Sequence, residues 1–348
     1  MTVTVSAKLD EALSGNCSYV IGEIGQAHEG SLGVAHAYID FVADAGVDAV
    51  KFQTHIADEE SSEFEEWRVK FSTQDETRHD YWKRMEFSKD QWIELKSHAE
   101  QRGLLFLSSP FSIAAVRLLN EIGVAAWKIP SGEITNYLLL DHIIETGKPI
   151  FLSSGMSTLD EIESSLKRIR ASNLPHVLFQ CTTAYPCPPD KIGLNIISDF
   201  IRKYECPIGL SDHSGTIFPS LSATTLGANF VEVHAVMSKK MFGPDVSSSL
   251  NFQQLNDLVD GIRMVQAMRS SSTGKDDYAA SAKDLRKTFG QSLCSSKCLT
   301  SGEVLSLDMI SSKKPMIGIP AQNYESFLGK KIIRNVKKGS FLRLEDFE

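Results

Sequence analysis

The sequence predicts an α/β fold, a (β/α)8 TIM barrel followed by a small, mainly β C-terminal domain. Eight short apolar runs rich in Val, Ile, Leu and Phe recur between residues 19 and 234. Amphipathic stretches of helical period separate most of these runs, and several stop near a glycine, where helices commonly end. Strands and helices that alternate eight times are typical of this barrel, with a doubly wound open sheet as the main alternative.

The apolar runs are the predicted strands, and the stretches between them are the predicted helices. The strands are expected at residues 19–24, 49–52, 104–107, 125–129, 149–152, 176–180, 207–210 and 230–234. The helices are expected to include residues 34–45, 89–102, 113–121, 136–145, 158–169 and 251–268.

Two segments depart from this alternation. Residues 56–87 are long, charged and aromatic, so we predict short helices over one mouth of the barrel and interpret them as a surface insertion without a chemical role. We expect the barrel domain to span residues 1–268, a polar linker residues 269–284 and the β-rich domain residues 285–348. A segment as short as the last is near the lower limit for a self-supporting core, so it is expected to pack on its own barrel or on a partner's.

Composition excludes several classes of protein. The net charge of −8 argues against nucleic-acid and anionic-membrane partners, which favour a basic face. The six cysteines form no CxxC pair and are expected to be reduced thiols. No apolar run approaches the ~18 residues that cross a bilayer, and the first residues lack a signal-peptide core, so we expect a cytoplasmic protein.

In such barrels the active site is formed by residues that follow the strands. Functional side chains follow all eight predicted strands here. The candidates are Glu23, Lys51, Gln53, Ser109, Phe111, Lys128, Ser131, Glu133, Ser153, Thr183, Tyr185, Ser211, His213 and His234.

Lys51 and Lys128 lie at or near the ends of nearly apolar strands, where a buried ammonium group needs an anionic partner. Each lysine either pairs with a carboxylate, such as Glu23 or Glu133, or faces a phosphate or carboxylate of a ligand. Because two such lysines occur with several serine hydroxyls able to donate to phosphate oxygens, the pattern favours an anion site.

His213 and His234 end adjacent predicted strands, seven and eight. Two imidazoles brought together at the rim suit a divalent metal such as Mn²⁺. Asp245 is a candidate third ligand, or a group that orients one of the histidines. Hydrogen-bonded structural histidines are the alternative.

Several runs, among them IGEIGQAHEG, AWKIPSGEITN, IFLSSGMSTLDEI, QCTTAYPCPP, IGLSDHSG and VEVHAVMSKKMFGPDV, resemble the sialic acid synthase (N-acetylneuraminate synthase) family. The tail resembles the antifreeze-like (SAF) domain that ends these enzymes. The resemblance implies a metal-dependent condensation of phosphoenolpyruvate with an open-chain 2-acetamido sugar, which releases phosphate and gives a nine-carbon 2-keto acid.

The resemblance also implies roles for particular residues. Phosphoenolpyruvate would be held by Lys51, Lys128, Ser131, Ser153 and Ser211, and Mn²⁺ or Mg²⁺ by His213 and His234. Glu23 would handle the protons, with Gln53, Tyr185 and Asp245 near the sugar and metal. Ser109, Phe111 and Glu133 are further expected substrate contacts.

Two residues depart from the family pattern. Thr183 stands where many members have Asn, and Lys314 stands where the tail usually has an Arg that reaches across a dimer to the acceptor's N-acetyl group. Lysine is a point charge with a different reach, so the acceptor stays open between N-acetylmannosamine and the diacetamido sugars of legionaminic or pseudaminic acid. A domain-swapped homodimer is implied. From another class, a non-catalytic sugar-phosphate binding barrel is the alternative function.

Overall fold

A computed structural model describes residues 5–67 and 69–348. The chain divides at residue 270 into two compact units. The first is a closed barrel of eight parallel strands, in which each strand pairs with the next and β8 pairs with β1. The strands are β1 Tyr19–Gly25, β2 Ala49–Thr54, β3 Leu105–Pro110, β4 Trp127–Ile129, β5 Ile150–Ser153, β6 His176–Cys181, β7 Ile208–Asp212 and β8 Phe230–His234. The predicted barrel is confirmed, and the open sheet is excluded.

Helices surround the strands. They are α1 Val5–Leu13, α2 Leu32–Asp44, α3 Ala57–Glu60, α4 Arg78–Met85, α5 Lys89–Gln101, α6 Ile113–Ile122, α7 Tyr137–Ile144, α8 Leu159–Ala171, α9 Leu194–Lys203, α10 Phe218–Leu226 and α11 Phe252–Arg269. Several begin at the side-chain caps that their sequences provide, for example Ser88 before α5 and Asn251 before α11. Within the described residues, no helix has the length and apolar character needed to span a bilayer.

The inside of the barrel is apolar toward one end and polar toward the other. Large side chains such as Tyr19, Phe151, Phe179 and Phe230 form an inner cluster that also includes residues of α1. The Lys128 ammonium nitrogen lies 4.7 Å from the centre of the Phe179 ring, at the boundary between the two layers. The apolar layer therefore supports the polar groups that gather at the carboxyl ends of the strands.

Strand register places the site residues side by side. Glu23 of β1 is opposite Lys51 on β2 and opposite His234 on β8. Ser211 of β7 is opposite Glu232 on β8. Because adjacent strands of this barrel are parallel, residues at the same height along different strands meet in one ring of side chains.

The second unit contains helices α12 Lys275–Ser281 and α13 Lys283–Phe289, and strands β9 Ser292–Ser295 and β10 Ile310–Lys313, which pair antiparallel. It has an apolar cluster of its own, built around Leu293, Leu299, Ile332 and Leu342. The small, mainly β C-terminal domain is therefore present, and α12 and α13 lie between it and the barrel along the chain.

Candidate active site

A cavity of about 250 Å³ opens at the carboxyl ends of the barrel strands. Most of the predicted site residues line it. They are Glu23, Lys51, Gln53, Phe111, Lys128, Ser131, Ser153, Thr183, Tyr185, Ser211, His213, His234 and Asp245. The barrel thus brings together residues that lie more than 200 positions apart in the chain.

Both buried lysines pair with carboxylates. Lys51 Nζ lies 2.6 Å from Glu23 Oε2 and 3.9 Å from Glu232 Oε2. Lys128 Nζ donates to Glu232 Oε1 at 2.6 Å, and Ser211 Oγ donates to the same oxygen at 3.0 Å. Glu232 is therefore shared between the two lysines, a role that the sequence did not reveal.

The pKa values follow from this burial and pairing. Burial acts to raise the Glu232 pKa, but the two ammonium groups hold it well below its usual range. Burial acts to lower the Lys51 pKa, yet Glu23 and Glu232 outweigh it and raise that pKa. At Lys128 burial prevails and lowers the pKa. The 2.6 Å contact between Lys128 and Glu232 has the length of a charge-assisted bond, so we take both groups as charged.

Glu23 is fixed by side chains as well as by its strand. Gln53 Nε2 donates to Glu23 Oε1 at 2.7 Å, and Gln26 Nε2 donates to Gln53 Oε1 at 3.0 Å. Glu23 is 1% exposed. A buried carboxylate that is held in one orientation and borders the cavity is well placed for proton transfer.

A narrow hydroxyl-lined space lies beside Gly155. A Cβ atom added to Gly155 would be 2.5 Å from Ser131 Oγ and 2.6 Å from Thr183 Oγ1. Because Gly155 has no side chain, a ligand atom placed beside its Cα can contact both hydroxyl groups. Such donors suit the oxygens of a phosphate or carboxylate.

The two predicted metal-binding histidines lie side by side, with ring centres 5.3 Å apart. His213 Nδ1 lies 3.0 Å from the Thr182 carbonyl oxygen, and Tyr185 stacks on the same imidazole with ring centres 4.2 Å apart. A ring whose Nδ1–H donates to a carbonyl has Nε2 as its possible ligand atom. The same imidazole also forms a hydrogen bond with Cys181.

His213 and His234 fit a divalent cation, because their two imidazoles lie close enough to act as a pair of ligands. Burial lowers the His234 pKa, which favours the neutral imidazole that binds metals. At His213 burial also acts to lower the pKa, but Cys181 and the Thr182 carbonyl outweigh it and raise that pKa. Within residues 5–67 and 69–348, no group of three or more His, Cys, Asp or Glu side chains is arranged to hold a metal. Asp245 lines the same cavity, and its role as a third ligand or as a group that orients a histidine stays a prediction. Water or a substrate could supply the other ligands.

Residues 57–87 do more than cover the barrel surface. Trp67, Val69, Phe71, Arg78, Tyr81 and Trp82, which we call the aromatic wall, line one side of the cavity. The predicted short helices over the mouth are present as α3 and α4. The segment borders the cavity, and the interpretation that residues 56–87 have no chemical role stays a prediction. The aromatic side chains pack on one another, with Phe71 and Tyr81 ring centres 5.1 Å apart.

Three predicted contacts are not among the cavity-lining residues. Ser109 lies close to Lys51, with 3.3 Å between Oγ and Nζ. Glu133 accepts a hydrogen bond from Asn136 Nδ2 at 2.7 Å, so the alternative pairing of a lysine with Glu133 is replaced by the pairing with Glu232. Lys314 belongs to the second unit. Their contacts with substrate stay predictions.

Residues 38–274 match the NeuB family, and residues 291–348 match the SAF domain. The N,N'-diacetyllegionaminic acid synthase of Campylobacter jejuni is 34% identical over 93% of this chain and 98% of its own. The human N-acetylneuraminate-9-phosphate synthase is 31% identical over 92% of this chain and 90% of its own. A crystal structure of the sialic acid synthetase of Leptospira borgpetersenii, in complex with citrate, matches with a TM-score of 0.68 at 28% identity, covering 78% of this chain and 94% of that one.

Proposed function

Because the chain belongs to the NeuB family, we propose that it is a phosphoenolpyruvate-dependent transferase that forms a carbon–carbon bond. The second substrate is an open-chain N-acetylmannosamine-like sugar, and the products are a nine-carbon 2-keto acid, N-acetylneuraminate or a related nonulosonate, and phosphate. The observation that carries the proposal is the pair of buried lysines, Lys51 and Lys128, beside a buried carboxylate, Glu23, and a group of hydroxyls at the barrel mouth.

The reaction needs one carbon–carbon bond, one added water and one departing phosphate. C3 of the enol attacks the sugar aldehyde, water adds at C2, and the bond between C2 and the phosphate oxygen breaks. Glu23 accepts a proton from that water and returns one to the oxygen of the new hydroxyl. A carboxylate near both oxygens carries out both transfers.

The phosphoenolpyruvate site is assigned to Lys51, Lys128, Ser131, Ser153 and Ser211. Each ammonium group has three N–H donors, so pairing with Glu23 or Glu232 leaves others for a ligand oxygen. Thr183 contributes one hydroxyl beside Gly155.

A divalent metal, Mn²⁺ or Mg²⁺, is assigned to His213 and His234, and when bound it supplies Lewis-acid activation of the aldehyde. Charge favours this assignment. With the histidines counted as neutral, the described residues that line the cavity carry as many positive as negative charges. The positive ones are Lys51, Lys128 and Arg78, and the negative ones are Glu23, Glu232 and Asp245. An anionic substrate therefore benefits from an additional cation.

A panel assay tests the proposal. The purified protein would be incubated with phosphoenolpyruvate, Mn²⁺ and each of several sugars: N-acetylmannosamine, its 6-phosphate and diacetamido-trideoxy sugars of the legionaminic and pseudaminic series. Phosphate release that depends on one of these sugars is expected. Binding of sugar phosphates without any turnover would instead favour the non-catalytic barrel.

Gly155→Ala is expected to raise the KM for phosphoenolpyruvate by about fivefold or more, because an overpacked site costs ~1–3 kcal/mol. The added Cβ would collide with Ser131 Oγ and Thr183 Oγ1. Initial-rate measurements over a range of phosphoenolpyruvate concentrations provide the check. Gly33→Ala is the control, because a Cβ there has no atom within 4 Å among the described residues. An unchanged KM in Gly155→Ala would show that this space is not the phosphate site.

The family resemblance further implies a homodimer in which each C-terminal domain closes the partner's site, with Lys314 near the sugar. Sedimentation is expected to show a dimer. Truncation from residue 285 should raise the KM for the sugar, and addition of full-length Glu23→Gln protein should restore part of the activity. A monomer at working concentration would contradict this arrangement.

A further inference from the structure

Two histidines and two carboxylates meet between α2 and α5, on the outside of the barrel. His36 and Asp40 are four residues apart on α2, and Glu94 and His98 are four residues apart on α5. Residues at this spacing lie on one face of a helix. None of the four lines the active-site cavity. We propose that His36 and His98 form a separate metal site, which takes a late first-row divalent ion such as Zn²⁺.

The ring nitrogens of these histidines make three close contacts. His36 Nδ1 lies 2.8 Å from His98 Nδ1. At the other nitrogen of each ring, His36 Nε2 lies 3.0 Å from Glu94 Oε1, and His98 Nε2 lies 3.1 Å from Asp40 Oδ1. Each contact needs a hydrogen between its two atoms, but two neutral imidazoles carry only one N–H group each. The cluster therefore needs one additional cation, which is either a proton or a metal ion.

The carboxylates determine where this cation lies. An ionised carboxylate is only an acceptor, so each one holds a hydrogen on the Nε2 atom that faces it. Both N–H groups are then used at Nε2, and the two Nδ1 atoms face each other with their lone pairs. Histidines that bind metals commonly donate their other ring N–H to a carboxylate in this way. The additional cation therefore belongs between the two Nδ1 atoms.

The distance between the two Nδ1 atoms suits a shared metal ion. Two nitrogens bound to one Zn²⁺ at about 2.0–2.1 Å are about 3 Å apart. Small rotations of the rings therefore convert the present 2.8 Å separation into a chelate. The side chains of His36 and His98 are 24% and 23% exposed. This exposure leaves room for water to complete the coordination of the ion.

The surroundings favour a cation. Among the described residues that line the open depression beside the two histidines, Asp90 and Glu94 are acidic, and no lysine or arginine is present. Arg102 is close by, but it pairs with Asp44 and its Nε lies 3.3 Å from Asp40 Oδ1. Imidazole ligands suit Zn²⁺, Cu²⁺ and Ni²⁺, whereas Mg²⁺ and Ca²⁺ prefer oxygen ligands. The site therefore differs in its preferred ion from a magnesium site.

Zinc binding to a His213→Ala/His234→Ala double variant tests the proposal, because this variant lacks the imidazoles of the barrel mouth. We expect saturable binding of Zn²⁺, measured by calorimetry and by elemental analysis after equilibrium dialysis. Adding His36→Ala or His98→Ala should raise the Kd for Zn²⁺ by about tenfold or more, and adding Glu94→Gln by about 10–100-fold, the usual cost of losing a group that orients a ligand.

His142→Ala in the same background is the matched control, because His142 is a helical histidine whose Nδ1 lies 2.9 Å from the Leu138 carbonyl oxygen. The wild-type background provides a second measurement should the double variant fail to fold. There, His36→Ala should bind less zinc than wild type at saturation, and His142→Ala should bind the same amount.

Three results would overturn the site. They are zinc binding that survives both His36→Ala and His98→Ala, an equal loss in His142→Ala, and the absence of zinc binding in a folded double variant. The last result would show that the cation between the two rings is a proton only. These measurements use neither phosphoenolpyruvate nor a sugar, so their outcome does not depend on the proposed reaction.

Discussion

Replacement of Glu23 by glutamine is expected to lower kcat by about 10²–10⁴-fold, the usual contribution of a general acid or base. The amide keeps the shape of the side chain, so the hydrogen bond with Gln53 has a geometric equivalent after reorientation. The variant loses the capacity to accept and return a proton, and it loses the charge that pairs with Lys51. Lys51 retains a carboxylate 3.9 Å away at Glu232 Oε2, so the barrel should still fold.

Binding of phosphoenolpyruvate to Glu23→Gln, measured by calorimetry, should stay within a few-fold of wild type, while single-turnover phosphate release slows. Glu121→Gln is the control, because Glu121 forms a solvent-exposed pair with Lys89. A near-normal kcat would identify Glu23 as a structural partner of Lys51. Loss of both folding and binding, seen by circular dichroism and calorimetry, would point to the same structural role.

Removal of divalent metal is expected to abolish turnover, and added Mn²⁺ is expected to restore it. His213→Ala and His234→Ala should each retain less metal after dialysis, as measured by elemental analysis, because each removes one of two adjacent imidazoles. This readout does not depend on activity.

His142→Ala is the control for the metal measurements. His142 lies on α7, where its Nδ1 is 2.9 Å from the Leu138 carbonyl oxygen. Full turnover in a sample shown by elemental analysis to be free of metal would contradict the assignment. Unchanged metal content in both rim variants would do the same.

The barrel and most of its rim were predictable because both depend on local pattern. Buried parallel strands appear as continuous apolar runs, and the polar residue that follows such a run marks the mouth of the barrel. This reasoning placed Glu23, Lys51 and His234 correctly on neighbouring strands, as the register shows.

Glu232 was missed because its role depends on residues distant in sequence. It lies inside the run FVEVH, where a single polar residue is compatible with ordinary alternation. Its partner Lys128 is 104 positions earlier in the chain and is not on an adjacent strand. The position of a carboxylate across a closed barrel follows from strand number and stagger, which no local pattern specifies.

The aromatic wall was missed for a related reason. Residues 57–87 contain two short helices and no sustained period, so sequence gave no direction for their side chains. A strong clue was the number of aromatic residues, since a surface insertion rarely needs them. Trp82 of this segment and Phe111 both stack on His55, with ring centres 3.9 and 4.3 Å from that of the histidine. This stacking joins the segment to the barrel rim.

The sharing of Glu232 by Lys51 and Lys128 gives the cavity its own counter-ions. For the proposed reaction, the ammonium groups have already lost their water before a ligand arrives, so the dehydration that accompanies binding falls on the ligand. In that reaction the phosphate would take the remaining N–H donors of ammonium groups whose charges Glu23 and Glu232 already balance. When inorganic phosphate leaves, the same carboxylates would still balance those charges. The fixed carboxylates would therefore favour release of the product and limit how tightly phosphate can inhibit.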